Sequence, residues 1–311
     1  MMQKFWANRN FVGCMAIFIG VFVFSTQDAI IKSLSGTHAV SLAIVMRSIV
    51  SIPILLGLVA YETGLSSLRT KYGWFLVLRG LILLSAYTFY YLSFPALPFA
   101  EAITLYFVAP LIVTLLSGVF LKEKVTPSAW LAIFLGLIGV ITILQPGGAL
   151  FEPAAMLSLV SAATYALCMV LTRKYGAQIP ASVTVFYTNA VYLVAASIFA
   201  FYVSSLTPVD YGHPSLNFLL RAWVWPNTYD LILLGACGVI ASFGMVLLTH
   251  GYRTGDANLV TVFEYTGMVW AVIWGYLFFA EVPRATTFIG MLFIASAGLM
   301  SLRSSMTKTS S

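Results

Sequence analysis

The chain has 311 residues, 60% of them hydrophobic and 8% charged, with a mean hydropathy of +0.96 and a formal net charge of +6. Such a balance excludes a soluble globular domain, in which about 45–50% of residues are apolar. It points to a polytopic membrane protein.

Ten apolar segments long enough to cross roughly 30 Å of hydrocarbon are predicted, at 11–32, 39–61, 72–93, 99–121, 128–145, 153–172, 181–203, 229–251, 257–279 and 286–303. Runs of this length argue for helices, because barrel strands are about ten residues long and alternate in polarity. The expected fold class is therefore all-α, with ten transmembrane helices. The first run follows Lys4 and Arg9 as a signal peptide would, but it is long, lacks a small-residue cleavage site and precedes nine more spans, so it reads as a retained helix.

With the N-terminus inside, Lys4, Arg9, Arg69, Lys71, Lys122, Lys124, Arg173, Lys174, Arg253, Arg303 and Lys308 fall on the cytoplasmic side. Only Lys32, Arg221 and Arg284 fall outside, while Arg47 and Arg79 lie within spans. This asymmetry places both termini in the cytoplasm and accounts for the basic balance without a nucleic-acid partner. Cys14, Cys168 and Cys237 lie in three different spans without ligand spacing and read as small core residues; no metal site is expected.

Charges within spans are the functional candidates, since each costs about 2.5–3.5 kcal/mol at the bilayer centre on insertion scales and turns toward a partner or water. Asp28 in the first span and Arg47 in the second lie at similar depth. They read either as a structural ion pair or as substrate contacts. Lys32, one helical turn from Asp28, is the alternative partner, or it snorkels to the headgroups. Arg79 and Glu264 lie roughly 10 Å deep from the cytoplasmic side at 1.5 Å per residue. An ion pair between them would gate the cytoplasmic mouth; alternatively, Arg79 snorkels and Glu264 is satisfied by Tyr265, Thr261 or water. Glu264, Met268, Ala271 and Gly275 share a helix stripe that suits a hydrated centre, with Trp270, Trp274, Leu277 and Phe278 on other faces.

Tyr87, Tyr90, Tyr91, Tyr106 and Phe107 concentrate aromatic surface that floors a cavity for a flat or amphipathic solute, or serves as interfacial belt. Glu101 reads as a first-turn carboxylate favoured by the helix dipole, and His250 as interfacial. The connection from Ser204 to Thr228 carries "LNFLLRAWVWPN", suited to a segment lying in the membrane interface, with a lid as the alternative.

The stretch from Arg79 to Pro127 superposes without a gap on that from Cys237 to Pro283 and beyond, placing Gly80 over Gly238, Phe94 over Tyr252 and Glu123 over Glu281, a constant offset of 158 (281 − 123). Five helices per half make the second copy enter the membrane from the opposite side. Two inverted five-helix repeats, 11–145 and 153–303, are the architecture of secondary transporters. The motifs "STQDAIIKSLSG" (Ser25–Gly36) with "MRS" (Met46–Ser48), "LPFAEAITLYFVAPLIVTLLSGVFLKEKVT" (Leu97–Thr126) and "EYTGMVWAVIWGYLFFAEVP" (Glu264–Pro283) resemble the drug/metabolite transporter superfamily, within it the EamA-type ten-helix permeases. Lys122 and Ala280 depart from the glycine usual before the loop Glu. The resemblance implies a central cavity lined by the first four helices of each half, with the fifth and tenth packed behind.

Neither an HExxH helix, a GxSxG elbow nor a Walker loop occurs, and the three histidines are scattered, so no enzyme and no cofactor are expected. The expected function is a secondary carrier in the bacterial inner (plasma) membrane. Its partners would be the lipid bilayer and a small polar or zwitterionic organic metabolite, an amino acid or related amine first and a larger aromatic cofactor precursor such as a flavin second. A coupling ion, proton or sodium, is not readable. A receptor or scaffold would leave the inverted repeat and the buried charges without a purpose. Candidate substrate-binding or gating residues are Asp28, Arg47, Arg79, Glu264, Tyr87, Tyr91 and Tyr106.

Overall fold

A computed structural model describes residues 9–123, 125–148, 151–176, 178–206, 209–255 and 262–309, with side chains undescribed at residue 9 and beyond residue 301. Lys4, Lys124 and Thr261, and the side chains of Arg9, Arg303 and Lys308, lie outside the described residues. Among those described, every regular element is a helix.

The spans run Arg9–Leu34, Val40–Glu62, Gly73–Ser93, a fourth in two pieces (Phe99–Tyr106 and Ala109–Phe120), Pro127–Leu144, Ala155–Tyr175, Ala181–Ser204, Thr228–Thr254, a ninth whose main piece is Thr266–Phe279, and Ala285–Thr309. Nine described helices are long and apolar enough to cross a membrane, and the shorter apolar stretch Ala285–Ser301 supplies the tenth. Local chemistry starts two of them. Thr126 accepts the Ala129 N–H ahead of Pro127, and Asn227 accepts that of Asp230.

Packing between spans follows one rule. The first packs on the eighth and the third on the sixth; the second on the eighth and the third on the seventh; the first on the ninth and the sixth on the fourth. The second and seventh, fourth and ninth, and fifth and tenth pair with each other. Exchanging each span with the one five places later leaves this pattern unchanged, so the bundle is two inverted five-helix repeats about a pseudo-two-fold axis. Both chain ends approach the same face, called here the termini face; the opposite one is the distal face. The fifth and tenth spans cross where Gly139 and Gly290 meet: a Cβ on either would lie 2.9 or 2.8 Å from the other's carbonyl oxygen, so only glycine permits this approach.

The long connection is tied to the bundle at several points and leaves Leu216, Trp223, Val224 and Trp225 exposed. Its short helix Pro214–Leu220 drops Phe218, 1% exposed, into the core, while Arg221 donates to the carbonyls of Ser35 and His38 and Trp223 to Ser41. A cation with two backbone acceptors to satisfy holds the segment against the bundle.

Glu123 follows the fourth span and Val282 the ninth, on opposite faces. Single cysteines there, in a background with Cys14, Cys168 and Cys237 replaced, should react with an impermeant thiol reagent from opposite sides. Reaction of both from one side would contradict the inverted arrangement.

Candidate functional site

Both members of the central helix pair are interrupted at equivalent places. The fourth span breaks at Phe107 and Val108, where Val108 N–H bonds back three residues to Leu105, and Pro110 starts the next piece with no N–H to satisfy. The ninth breaks at Tyr265, whose N–H reaches Val262. The offset of 158 carries Phe107 onto Tyr265 (107 + 158), and their rings meet with centroids 5.6 Å apart. The apolar runs 99–121 and 257–279 mark the two spans but not the breaks within them, because apolar runs report burial and not a local tightening of the backbone. Discontinuous helices meeting on a pseudo-symmetry axis are the frame in which transporters build midplane sites.

Around this crossing lies a cavity of about 600 Å³, lined by the first four spans of each half and, among the described residues, by none of the fifth or tenth. It runs from Asp28 and Tyr90 to Thr249, Tyr252 and Arg253 near the termini face. Asp28, Arg47, Arg79, Tyr87, Tyr106 and Glu264 all line it; Tyr91 stands behind them, 1% exposed.

The charges are held otherwise than by ion pairs with one another. Asp28 Oδ2 accepts from Tyr90 OH at 3.0 Å, and Arg47 Nη1 donates to Tyr91 OH at 3.0 Å, with the guanidinium 5.6 Å from both the Tyr87 and Tyr192 ring centroids. Neighbouring tyrosines on the third span thus separate the expected Asp28–Arg47 pair. Lys32 is not the partner of Asp28 either: its long stem carries Nζ to Glu281, 2.8 Å away. Arg79 donates to Thr172 (2.8 Å) and Thr188 (2.7 Å) and is 8% exposed, which replaces both the expected bridge to Glu264 and the snorkelling alternative. Half-buried Glu264 and Tyr252 both line the cavity near the termini face. Of the helix stripe only Glu264 reaches the cavity: Met268, Ala271 and Gly275 are buried in apolar packing instead of facing the hydrated centre expected for them, and Trp274 donates to Ser25.

Residues that the sequence reading missed complete the wall: Gln27, Tyr165, Thr188, Asn189, Tyr192 and Tyr252. Gln27 donates to Tyr91 at 3.1 Å. Thr188 and Asn189 were legible as adjacent polar residues well inside the seventh span. Gln27 Oε1, Arg47 Nε, Asn189 Oδ1 and Tyr192 OH are buried without a hydrogen-bond partner among the described residues, an unusual concentration on the wall of one cavity.

Toward the distal face the cavity ends in packed rings, Tyr90–Phe94–Phe99–Phe279, with successive centroids 4.8, 5.6 and 5.7 Å apart. Beyond them, Glu101 is no simple first-turn carboxylate. It accepts from Thr287 at 2.8 Å and lies 3.6 Å from Arg284, joining the two halves.

The profile described as "EamA-like transporter family" matches residues 11–145 and 152–303. The chain belongs to this family. It is thus an integral multi-pass membrane transporter and not an enzyme. Among similar proteins are a pseudopaline exporter of Pseudomonas aeruginosa (strain UCBPP-PA14), 27% identical over 92% of this chain and 94% of that one, and an S-adenosylmethionine uptake transporter of Rickettsia prowazekii (strain Madrid E), 24% identical over 98% and 97%. A riboflavin transporter of Vibrio cholerae serotype O1 is 29% identical over 73% of this chain and 71% of its own. A crystal structure sharing 19% identity superposes with a TM-score of 0.61 over 94% of this chain and 96% of that one, which shows the same fold.

The geometry makes a thermodynamic prediction. In a double-mutant cycle on thermal stability, Asp28→Asn and Tyr90→Phe should couple by about 0.5–3 kcal/mol, as hydrogen-bonded neighbours do. Coupling of Asp28→Asn to Arg47→Gln should be smaller, and the reverse order would restore the direct ion pair.

Proposed function

We propose that this family member is a secondary carrier for a small zwitterionic or amine-bearing organic metabolite, an amino acid or related amine first. It would work by alternating access in a bacterial inner membrane, with the termini face cytoplasmic. One observation carries the substrate class: Asp28 and Arg47 line the same cavity, each hydrogen-bonded to a tyrosine and with no direct ion pair between them. A carboxylate and a guanidinium, each tethered to its own tyrosine, are available to a ligand's ammonium and carboxylate groups. Glu264 and Arg79 offer the same two chemistries nearer the termini face. The cavity's size falls within the roughly 300–1,000 Å³ of small-molecule sites. The absence of a Walker loop in the sequence favours an ion gradient or exchange as the driving force. The relatives named for pseudopaline and S-adenosylmethionine support a small organic metabolite.

A second reading has its own support. Tyr87, Tyr90, Tyr106, Tyr165 and Tyr192 line the cavity and suit a flat aromatic solute, and relatives are named as riboflavin transporters. A thermal-shift screen of purified protein separates the two. A ligand at a hundred times its Kd adds about 2.7 kcal/mol of stability. Amino acids and amines should stabilise the protein where riboflavin does not; the opposite result would favour the flavin reading. For the ligand so found, Asp28→Asn should weaken binding of the amine while Arg47→Gln weakens that of the carboxylate.

Glu264→Gln, which keeps size and removes charge, should leave the protein folded and inserted but slow uptake into proteoliposomes. Glu264→Leu should insert equally well and be nearly inactive. Wild-type rates with Glu264→Leu would make the carboxylate incidental.

A further inference from the structure

The distal face is closed by charges from opposite halves. Glu281, in the turn after the ninth span, engages the first half with both oxygens: Oε1 lies 2.8 Å from Lys32 Nζ, and Oε2 accepts the backbone N–H of Phe99 at 2.6 Å. Lys32 also donates to the Leu97 carbonyl at 2.6 Å and lies 5.1 Å from the Phe279 ring centroid. The Lys32 side chain is 9% and that of Glu281 28% exposed, so the contact is only partly screened by water.

The pseudo-two-fold supplies a counterpart at the other face. The offset of 158 carries Glu281 onto Glu123 (281 − 158), and Glu123 lies 2.8 Å from Arg173. Arg173 sits in the last turn of the sixth span, as Lys32 does in that of the first. The chemistry is repeated but its surroundings are not. Arg173 and Glu123 are 62% and 41% exposed, and the other cross-half pair at this face, Arg253–Glu62, is longer at 3.8 Å with Arg253 62% exposed. Solvated pairs hold weakly, whereas separating a buried pair strands a charge. The cavity, correspondingly, reaches toward the termini face and stops short of the distal one.

We propose that Glu281 is a latch: its simultaneous hold on Lys32 and on the N-terminus of the fourth span keeps the distal face shut, and Glu123 with Arg173 is the same device in its solvated form. Opening the distal face requires Glu281 to leave both partners at once. This goes beyond the substrate reading, because it concerns which face is closed and by what, whatever is carried.

Ile103 lines the cavity between the break and the closed face and is 3% exposed, which makes it the reporter. With Ile103→Cys in a chain whose native cysteines are alanine, the rate of reaction with an impermeant thiol reagent applied from the distal side of sealed vesicles is measured. Val282→Cys, at a position 73% exposed, identifies that side in a parallel sample. Adding Glu281→Gln should raise the Ile103→Cys rate about tenfold, the ratio that follows from about 1.4 kcal/mol between two states. Lys32→Met, the second variant in case Glu281→Gln fails to insert, should act in the same direction, and Glu123→Gln should leave the rate unchanged. Equal acceleration by Glu123→Gln, or none in either latch variant, would overturn the proposal. The assay requires no substrate, so its failure leaves the carrier reading standing, and a failed ligand screen leaves the labelling result standing.

Discussion

A charged side chain in hydrocarbon has only the protein interior or trapped water to turn to, and the architecture follows from where two half-bundles leave room for it. Asp28, Arg47, Arg79 and Glu264 sit on four different spans, yet all reach one cavity around the crossing of the fourth and ninth. The fifth and tenth spans, close enough at Gly139 and Gly290 to exclude any larger residue, contribute none of the described residues to that wall. One set of helices is free to be polar inside because another is committed to apolar packing.

Much of this was legible beforehand because membrane insertion writes it in the sequence. Span length, the odd number of helices per half and the match of Glu123 to Glu281 each follow from constraints that act residue by residue. The pairing of side chains does not. Asp28 and Arg47 share a depth, but whether they touch depends on rotation about two helix axes, and the third span inserts Tyr90 and Tyr91 between them. Arg79 and Glu264 likewise share a depth, but hydroxyls on the sixth and seventh spans take the guanidinium first. Depth is a one-dimensional property that a sequence carries well; azimuth is set by the assembled bundle.

The repeat is more symmetric in backbone than in chemistry. Under the offset of 158, Phe107 corresponds to Tyr265 and the helix breaks coincide, whereas Tyr106 corresponds to Glu264 (106 + 158) and Arg79 to Cys237 (79 + 158). Conformational exchange between the halves needs only the shared backbone, since either half must be able to adopt the other's arrangement. Recognition of an asymmetric solute needs the difference. Charges on one copy that correspond to an aromatic or a buried thiol on the other make the two halves of the cavity wall chemically different, which a perfectly duplicated bundle would lack.

The tyrosines connect these requirements. A carboxylate or guanidinium lining a partly apolar cavity needs at least one hydrogen-bond partner, but a full counter-ion would consume the charge and leave nothing for a ligand. A phenol supplies the first without imposing the second: it donates to Asp28 through Tyr90, accepts from Arg47 through Tyr91, and presents apolar ring surface on either side. The ends of the bundle have the opposite task of fixing charges in place, and there full ion pairs such as Lys32–Glu281 appear. Phenols in the middle and ion pairs at the ends are what one solvent constraint requires of a protein that must hold charge ready at its centre and lock it at its rims.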